Sequence, residues 1–126
     1  MSTATAIQAH ITYELIEDTD HQVALIEFVS HDIISPTHAR ELGEQLHSLI
    51  RPQPAQYFVI DCAGVRALGS SAFSELVSFV QKAKPVWVCN LDNTLRLGAA
   101  LVGLDNWAKF AANRSAAINE AERTAR

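Results

Sequence analysis

Apolar and polar positions alternate imperfectly over His10 to Glu17 (HITYELIE), and that rhythm predicts a β-strand. Asp18-Thr19-Asp20 follows with turn chemistry, because Asp side chains satisfy local backbone donors. Gln22 to Val29 (QVALIEFV) is β-branched and apolar and predicts a second strand. The short gap between the two runs predicts an antiparallel hairpin. Ser35-Pro36 then opens a helix, Ser as the cap and Pro at the first helical position. Ala39, Leu42, Leu46, Leu49 and Ile50 keep helical spacing, and Pro52 and Pro54 end the run. Gln56 to Cys62 (QYFVIDC) reads as a strand covered on both faces.

After Gly69-Ser70-Ser71, the residues Phe73, Leu76, Val77 and Val80 mark a second helix, stopped by Pro85. Val86 to Cys89 is a fourth strand. Asp92 caps a third helix carrying Leu95, Ala99 and Val102, which Gly103 closes. A short edge strand is expected around Lys109-Phe110, and Asn113 to Arg126 predicts a terminal helix. The order β-β-α-β-α-β-α-(β)-α predicts an α/β fold. Its mixed sheet has four to five strands, a hairpin followed by parallel strands with right-handed crossovers, and about four helices. Residues 1–9 are expected to be loose and 10–126 to form one domain. The expected core is Ile26, Phe28, Leu42, Leu46, Leu49, Phe58, Ile60, Phe73, Leu76, Val77, Val80, Val86, Val88 and Leu95. Phe79 falls off the tightest stripe of its helix and is expected to be partly exposed. Trp87 and Trp107 are expected in the core or at its edge.

Composition narrows the function classes. The chain has 126 residues, 48% hydrophobic and 19% charged, which is globular composition. Ten Lys plus Arg against fourteen Asp plus Glu give a net charge of −4, and the absence of a basic stripe argues against nucleic acid as partner. No apolar run approaches a membrane span, nor do the first residues resemble a signal peptide, so a cytoplasmic setting is expected. The Asn113-Arg114-Ser115 glycosylation match carries no meaning there. Cys62 and Cys89 have no metal-ligand spacing and read as small buried hydrophobes. His10, His21, His31, His38 and His47 are scattered and read as surface histidines. No metal site or cofactor is expected, and nucleotide-cradling and catalytic motifs are absent.

The stretch Val59 to Leu76, VIDCAGVRALGSSAFSEL, is the most informative. A buried strand ends in Asp61, a loop follows, and Gly-Ser-Ser stands at a helix start. Free N–H groups and the helix dipole favour a phosphate there. The plainer reading, a Ser that merely caps its helix, stands beside it.

The stretch resembles the signature of the STAS domain, the fold of bacterial anti-sigma-factor antagonists. Asp61 falls on the family's first Asp, Val65 and Leu68 on its loop apolar positions, Ser70 and Ser71 on its paired serines, and Phe73 on its Leu. VWVCNLDNTLRLGAALVGLDNWAKF and ARELGEQLHSLI resemble the family's later strand-helix segment and its first helix. The resemblance implies a non-enzymatic regulator that binds an anti-sigma factor, itself a serine protein kinase, and frees a sigma factor. A phosphatase and a homodimer are further expected partners, and any ATP belongs to the kinase. It implies phosphorylation at Ser70, with Ser71 as second choice, and a partner surface of Asp32, Asp61, Gly69, Ser70 and Ser71. Phosphate adds roughly −1.5 to −2 charges at that surface and breaks the complex. Two positions depart from the pattern: Gly69 stands where an acidic residue is usual, and Ala72 where Gly is usual. The departure at Gly69 keeps open a STAS scaffold, or an accessory subunit of a signalling or lipid-transport complex. A third reading is an aspartate-phosphorylated receiver using Asp61, with Glu17-Asp18 for Mg²⁺ and a late Lys109; it requires a helix where Gln22 to Val29 predicts a strand.

Overall fold

The computed structural model describes residues 9–16, 23–50, 57–83 and 85–125. Residues 1–8, the turn at Asp18-Thr19-Asp20, the Glu17-Asp18 pair, His21, Pro52 and Pro54 lie outside the described residues. Seven strands and four helices are described: β1 (Ile11–Leu15), β2 (Val23–Phe28), β3 (Asp32–Ile33), α1 (Pro36–Ser48), β4 (Tyr57–Asp61), β5 (Ala67–Leu68), α2 (Ser70–Lys82), β6 (Val86–Cys89), α3 (Asn93–Leu101), β7 (Lys109–Ala111) and α4 (Arg114–Ala125). A 3-10 turn spans Leu104–Asn106.

The main sheet has the order β1-β2-β4-β6-β7. β1 pairs antiparallel with β2, Tyr13 opposite Ile26, and the other neighbours are parallel. This is the mixed sheet expected, and Val23–Phe28 as a strand removes the helix that a receiver needs. Strand periodicity divides the side chains between two faces. Ala24, Ile26, Phe28, Phe58, Ile60, Val86 and Val88 point into a large core with α1, α2 and α3. Val23, Leu25, Val59, Trp87 and Cys89 point the other way and meet Ala117 and Ala121 of α4.

Several expectations are corrected. Phe79 is fully buried, edge-on to Phe58 at 5.5 Å between ring centroids, because β4 supplies a ring on the flank of the α2 stripe. Trp107 is 55% exposed beyond the 3-10 turn, whereas Trp87 is buried beneath α4. Leu49 and Val77 are half-buried at the margin of the core; the other expected core residues are buried. His10 is not a surface residue but 1% exposed. Its ring nitrogens meet Ser30 Oγ at 2.7 Å and Glu41 Oε1 at 3.0 Å, and its backbone N–H donates to Gln45 Oε1. These bonds tie the start of β1 to α1. Both cysteines are buried as expected, and burial pushes each thiol up, Cys89 to about 12.

A second, two-stranded sheet was not legible in the sequence. β3 pairs parallel with β5, Asp32 opposite Ala67 and Ile33 opposite Leu68. It joins the loop before α1 to the loop before α2.

Candidate functional site

The β3–β5 pair brings four of the five expected partner residues together. Asp32 lies exposed in β3, one strand away from the start of α2. Gly69 N–H donates to Ile33 O at 2.9 Å and continues the pairing to the first turn of α2. His31 O accepts from Arg66 N–H at 2.7 Å, and His31 Nδ1–H donates to Gly64 O at 2.8 Å. The two loops are thus clamped along their length.

The start of α2 differs from the other helix starts. Ser35 Oγ caps α1 by accepting from His38 N–H at 3.1 Å. Asp92 Oδ1 caps α3 by accepting from Leu95 N–H at 2.8 Å. Asn113 Oδ1 caps α4 by accepting from Ala116 N–H at 2.9 Å. The cap of α2 is Gly69, which has no side chain to offer, and no side-chain hydrogen bond closes that end. Ser70 and Ser71 occupy the first two helical positions and are both exposed. Neither serine is therefore the capping residue of the plainer reading.

Gly69 has a geometric reason. A Cβ added there would stand 2.9 Å from the carbonyl oxygen of Ile34 and 3.4 Å from its Cα. The obstacle is backbone, so an acidic residue at 69 requires the Ile34 loop to move. Ile34, whose backbone comes this close to Gly69, is itself 58% exposed, and no local pattern singles it out.

Asp61 is placed elsewhere. It alternates with Ile60 along β4 and projects on the α4 side of the sheet, 3% exposed. Its Oδ1 accepts from Ala63 N–H and from Asn90 Nδ2, each at 2.9 Å. Its Oδ2 accepts from Arg114 Nε at 2.9 Å, with a second guanidinium nitrogen at 2.8 Å. Arg114 also pairs with Glu27 at the end of β2. Burial pushes the Asp61 carboxyl up, but the bonds from Asn90, Ala63 and Arg114 outweigh it and hold it below its ordinary value. Asn90 reaches Asp61 from a left-handed backbone at φ 60°, a conformation that Asn tolerates better than most residues. Asp61 thus fixes the ends of three strands and the start of α4, and reaches the serine loop only through Ala63.

Asn90, Arg114 and Glu27 were missed in the sequence. Arg114 lies 53 residues from Asp61, and no local pattern links such a pair. Asn113-Arg114 stands in the sequence as the start of a terminal helix and as part of a glycosylation match; the structure uses Asn113 as that helix's cap and Arg114 as an ion-pair partner. Among the described residues no group of His, Cys, Asp and Glu could hold a metal ion, and no helix is long and apolar enough to cross a membrane. Two grooves lie away from the serines. One, of about 380 Å³, runs between β1 and α1 past Tyr13 and Gln45, and one of about 430 Å³ lies on α3 around Arg96 and Leu97.

No family model matches the sequence, and no curated protein matches it. Solved structures do share the architecture. A variant of RsbS from Moorella thermoacetica aligns with a TM-score of 0.73 over 93% of this chain and 98% of that one, at 14% identity. An anti-sigma factor antagonist from Mycobacterium paratuberculosis gives 0.71 over 90% and 94%, at 23% identity. The Bacillus cell-fate determinant SpoIIAA in its phosphorylated form gives 0.58 over 91% and 100%, at 13% identity. The chain has the STAS fold seen in anti-sigma-factor antagonists.

Proposed function

We propose that this chain is a non-enzymatic anti-sigma-factor antagonist that works by partner switching. It docks an anti-sigma factor through the surface of Asp32, Gly69, Ser70 and Ser71, and Ser70 is its phosphorylation site. The observation that carries the reading is the exposed pair of hydroxyls at the one helix start, among the four described, that has no side-chain cap. Such a terminus accepts an anion from the N–H groups it leaves free. Asp61, buried and ion-paired, supports the scaffold from behind and does not itself meet the partner.

Phosphate at Ser70 places roughly −1.5 to −2 charges on a surface that must shed water to bind, so the complex separates while the fold persists. The test is affinity purification with wild type, Ser70→Ala and Ser70→Asp side by side, with mass spectrometry of Ser70 after incubation with any kinase recovered. Ser70→Ala is expected to keep the partner, and Ser70→Asp to release it. Equal retention by both variants would remove the switch.

The Gly69–Ile34 approach favours a second reading. With no acidic residue before the serine, the chain serves as an unphosphorylated STAS scaffold or as an accessory subunit of a signalling or lipid-transport complex. Partner capture unaffected by Ser70→Asp, with no phosphate found at Ser70, selects this reading.

A further inference from the structure

The two sides of the sheet are covered very differently. Among the described residues, three helices close one side with large side chains, including Leu42, Leu46, Phe73, Leu76, Phe79 and Leu95. One helix closes the other: its own fully buried side chains are two alanines, Ala117 and Ala121, one turn apart, set against the buried Val23, Leu25, Val59, Trp87 and Cys89 of the sheet. An alanine side chain is a single carbon, and burial of each such group is worth about 0.8 kcal/mol. Ile118 adds a half-buried contact. Polar bonds add to this. Arg114 ties the first turn to Asp61 and Glu27, and Trp87 Nε1–H donates to Glu120 Oε1 at 3.3 Å. Against these stands Glu122, whose Oε2 is shut off from solvent with no hydrogen-bond partner among the described residues. An unsatisfied buried carboxylate oxygen opposes the docked position.

We propose that α4 is a hinged cover: it leaves the sheet as one unit while the three-helix side stays packed, and its departure bares an apolar strip of Val23, Leu25, Val59, Trp87 and Cys89. The hinge is Ala112-Asn113, between the end of β7 and the start of α4. Local opening spans free energies from near zero up to that of global unfolding, and a chain-terminal helix that buries few of its own side chains falls below the upper end. The bared strip lies in the middle of the sheet and is continuous across β2, β4 and β6. Opening also takes Arg114 away from Asp61, which then keeps its Asn90 and Ala63 donors without a charge partner. The inference is independent of what docks at Ser70.

The molecule carries its own reporters. Cys89 lies under α4, and Cys62 lies in the opposite core beneath α2. Opening of α4 exposes Cys89 alone, whereas global unfolding exposes both. The experiment is alkylation of the native protein with iodoacetamide, each cysteine quantified by peptide mass spectrometry and normalised to its rate in the urea-unfolded chain. Protection of Cys89 is expected to be at least about tenfold weaker than that of Cys62. In Arg114→Gln it should weaken by about tenfold more, with Cys62 unchanged within roughly twofold. Equal protection of the two thiols, or parallel loss in the variant, would overturn the proposal, as would faster labelling of Cys62. Should Arg114→Gln not fold, hydrogen exchange of wild type decides: α4 amides are expected to exchange ahead of those in α1 and α2, and exchange of all three together overturns the cover.

Discussion

The sheet separates two kinds of adhesion. On the side of α1, α2 and α3, helices are held by interdigitated apolar side chains, and close approach is part of the fit: a Cβ on Gly98 would meet the Phe73 ring at 2.6 Å. On the side of α4, the helix brings two buried methyl groups and a half-buried Ile118 to the apolar sheet face, with a charged cluster at one end and the Trp87–Glu120 bond further along. The first kind is dense and mainly apolar. The second is sparse, directional and dependent on ionisation. The difference shows that one sheet can carry a stiff platform for the serine helix and a looser cover behind it.

The sharpest way to break the comparison is to cavitate the dense side. Phe79→Ala, at a fully buried ring, should cost about 3–5 kcal/mol in a denaturant titration. A loss comparable to that of an α4 variant would mean that the two sides are equally packed. Next comes the charged cluster. Asp61→Asn keeps the shape but weakens the bonds to Arg114 and Ala63, and should cost about 1–3 kcal/mol at neutral pH. The pH dependence sharpens this. The folded carboxyl sits below its ordinary value of 3.8, so its contribution is complete above that value. It is lost as pH falls through the lower folded value. The stability gap between wild type and Asp61→Asn should therefore be flat near neutrality and close in acid, read by urea midpoints across pH. A gap that widens in acid would contradict the ion-paired assignment.

Smaller effects mark the sparse side and the open surface. Ala121→Gly should cost about 1 kcal/mol, mainly through backbone entropy in α4, and should speed hydrogen exchange there without touching α2. Leu101→Ser, at a side chain 87% exposed, should stay within about 0.5 kcal/mol by thermal unfolding.

Much of the dense side was readable because it is periodic. The stripe Phe73, Leu76, Val80 marks α2, and the β-branched, apolar run of Gln22 to Val29 marks β2 as a strand. Caps were equally local: Ser35 and Asp92 announce their helices within three residues. Phe79 misled because position on a helix wheel says nothing about a ring supplied by another element. His10 misled for the same reason, its partners Ser30, Glu41 and Gln45 being distant in sequence. Of the expected partner surface, the serines and Asp32 could be proposed from a linear signature. The Ile34 contact and the withdrawal of Asp61 could not, because β3 and β5 are two residues long and Arg114 answers Asp61 from the far end of the chain.

The parallel order of β2, β4, β6 and β7 has an electrostatic consequence. Each of the four helices begins after the carboxyl end of one of these strands, so all four amino ends open on one rim of the molecule. Peptide dipoles aligned in this way place about half a positive charge at each such end. In a chain of net charge −4, these partial charges are local, each confined to the first turn of its helix. Ser35, Asp92 and Asn113 fold their own oxygens back over three of the four ends. The attraction left over is focused where Gly69 leaves α2 uncovered, and an incoming anion would be drawn to that point of the rim ahead of the others.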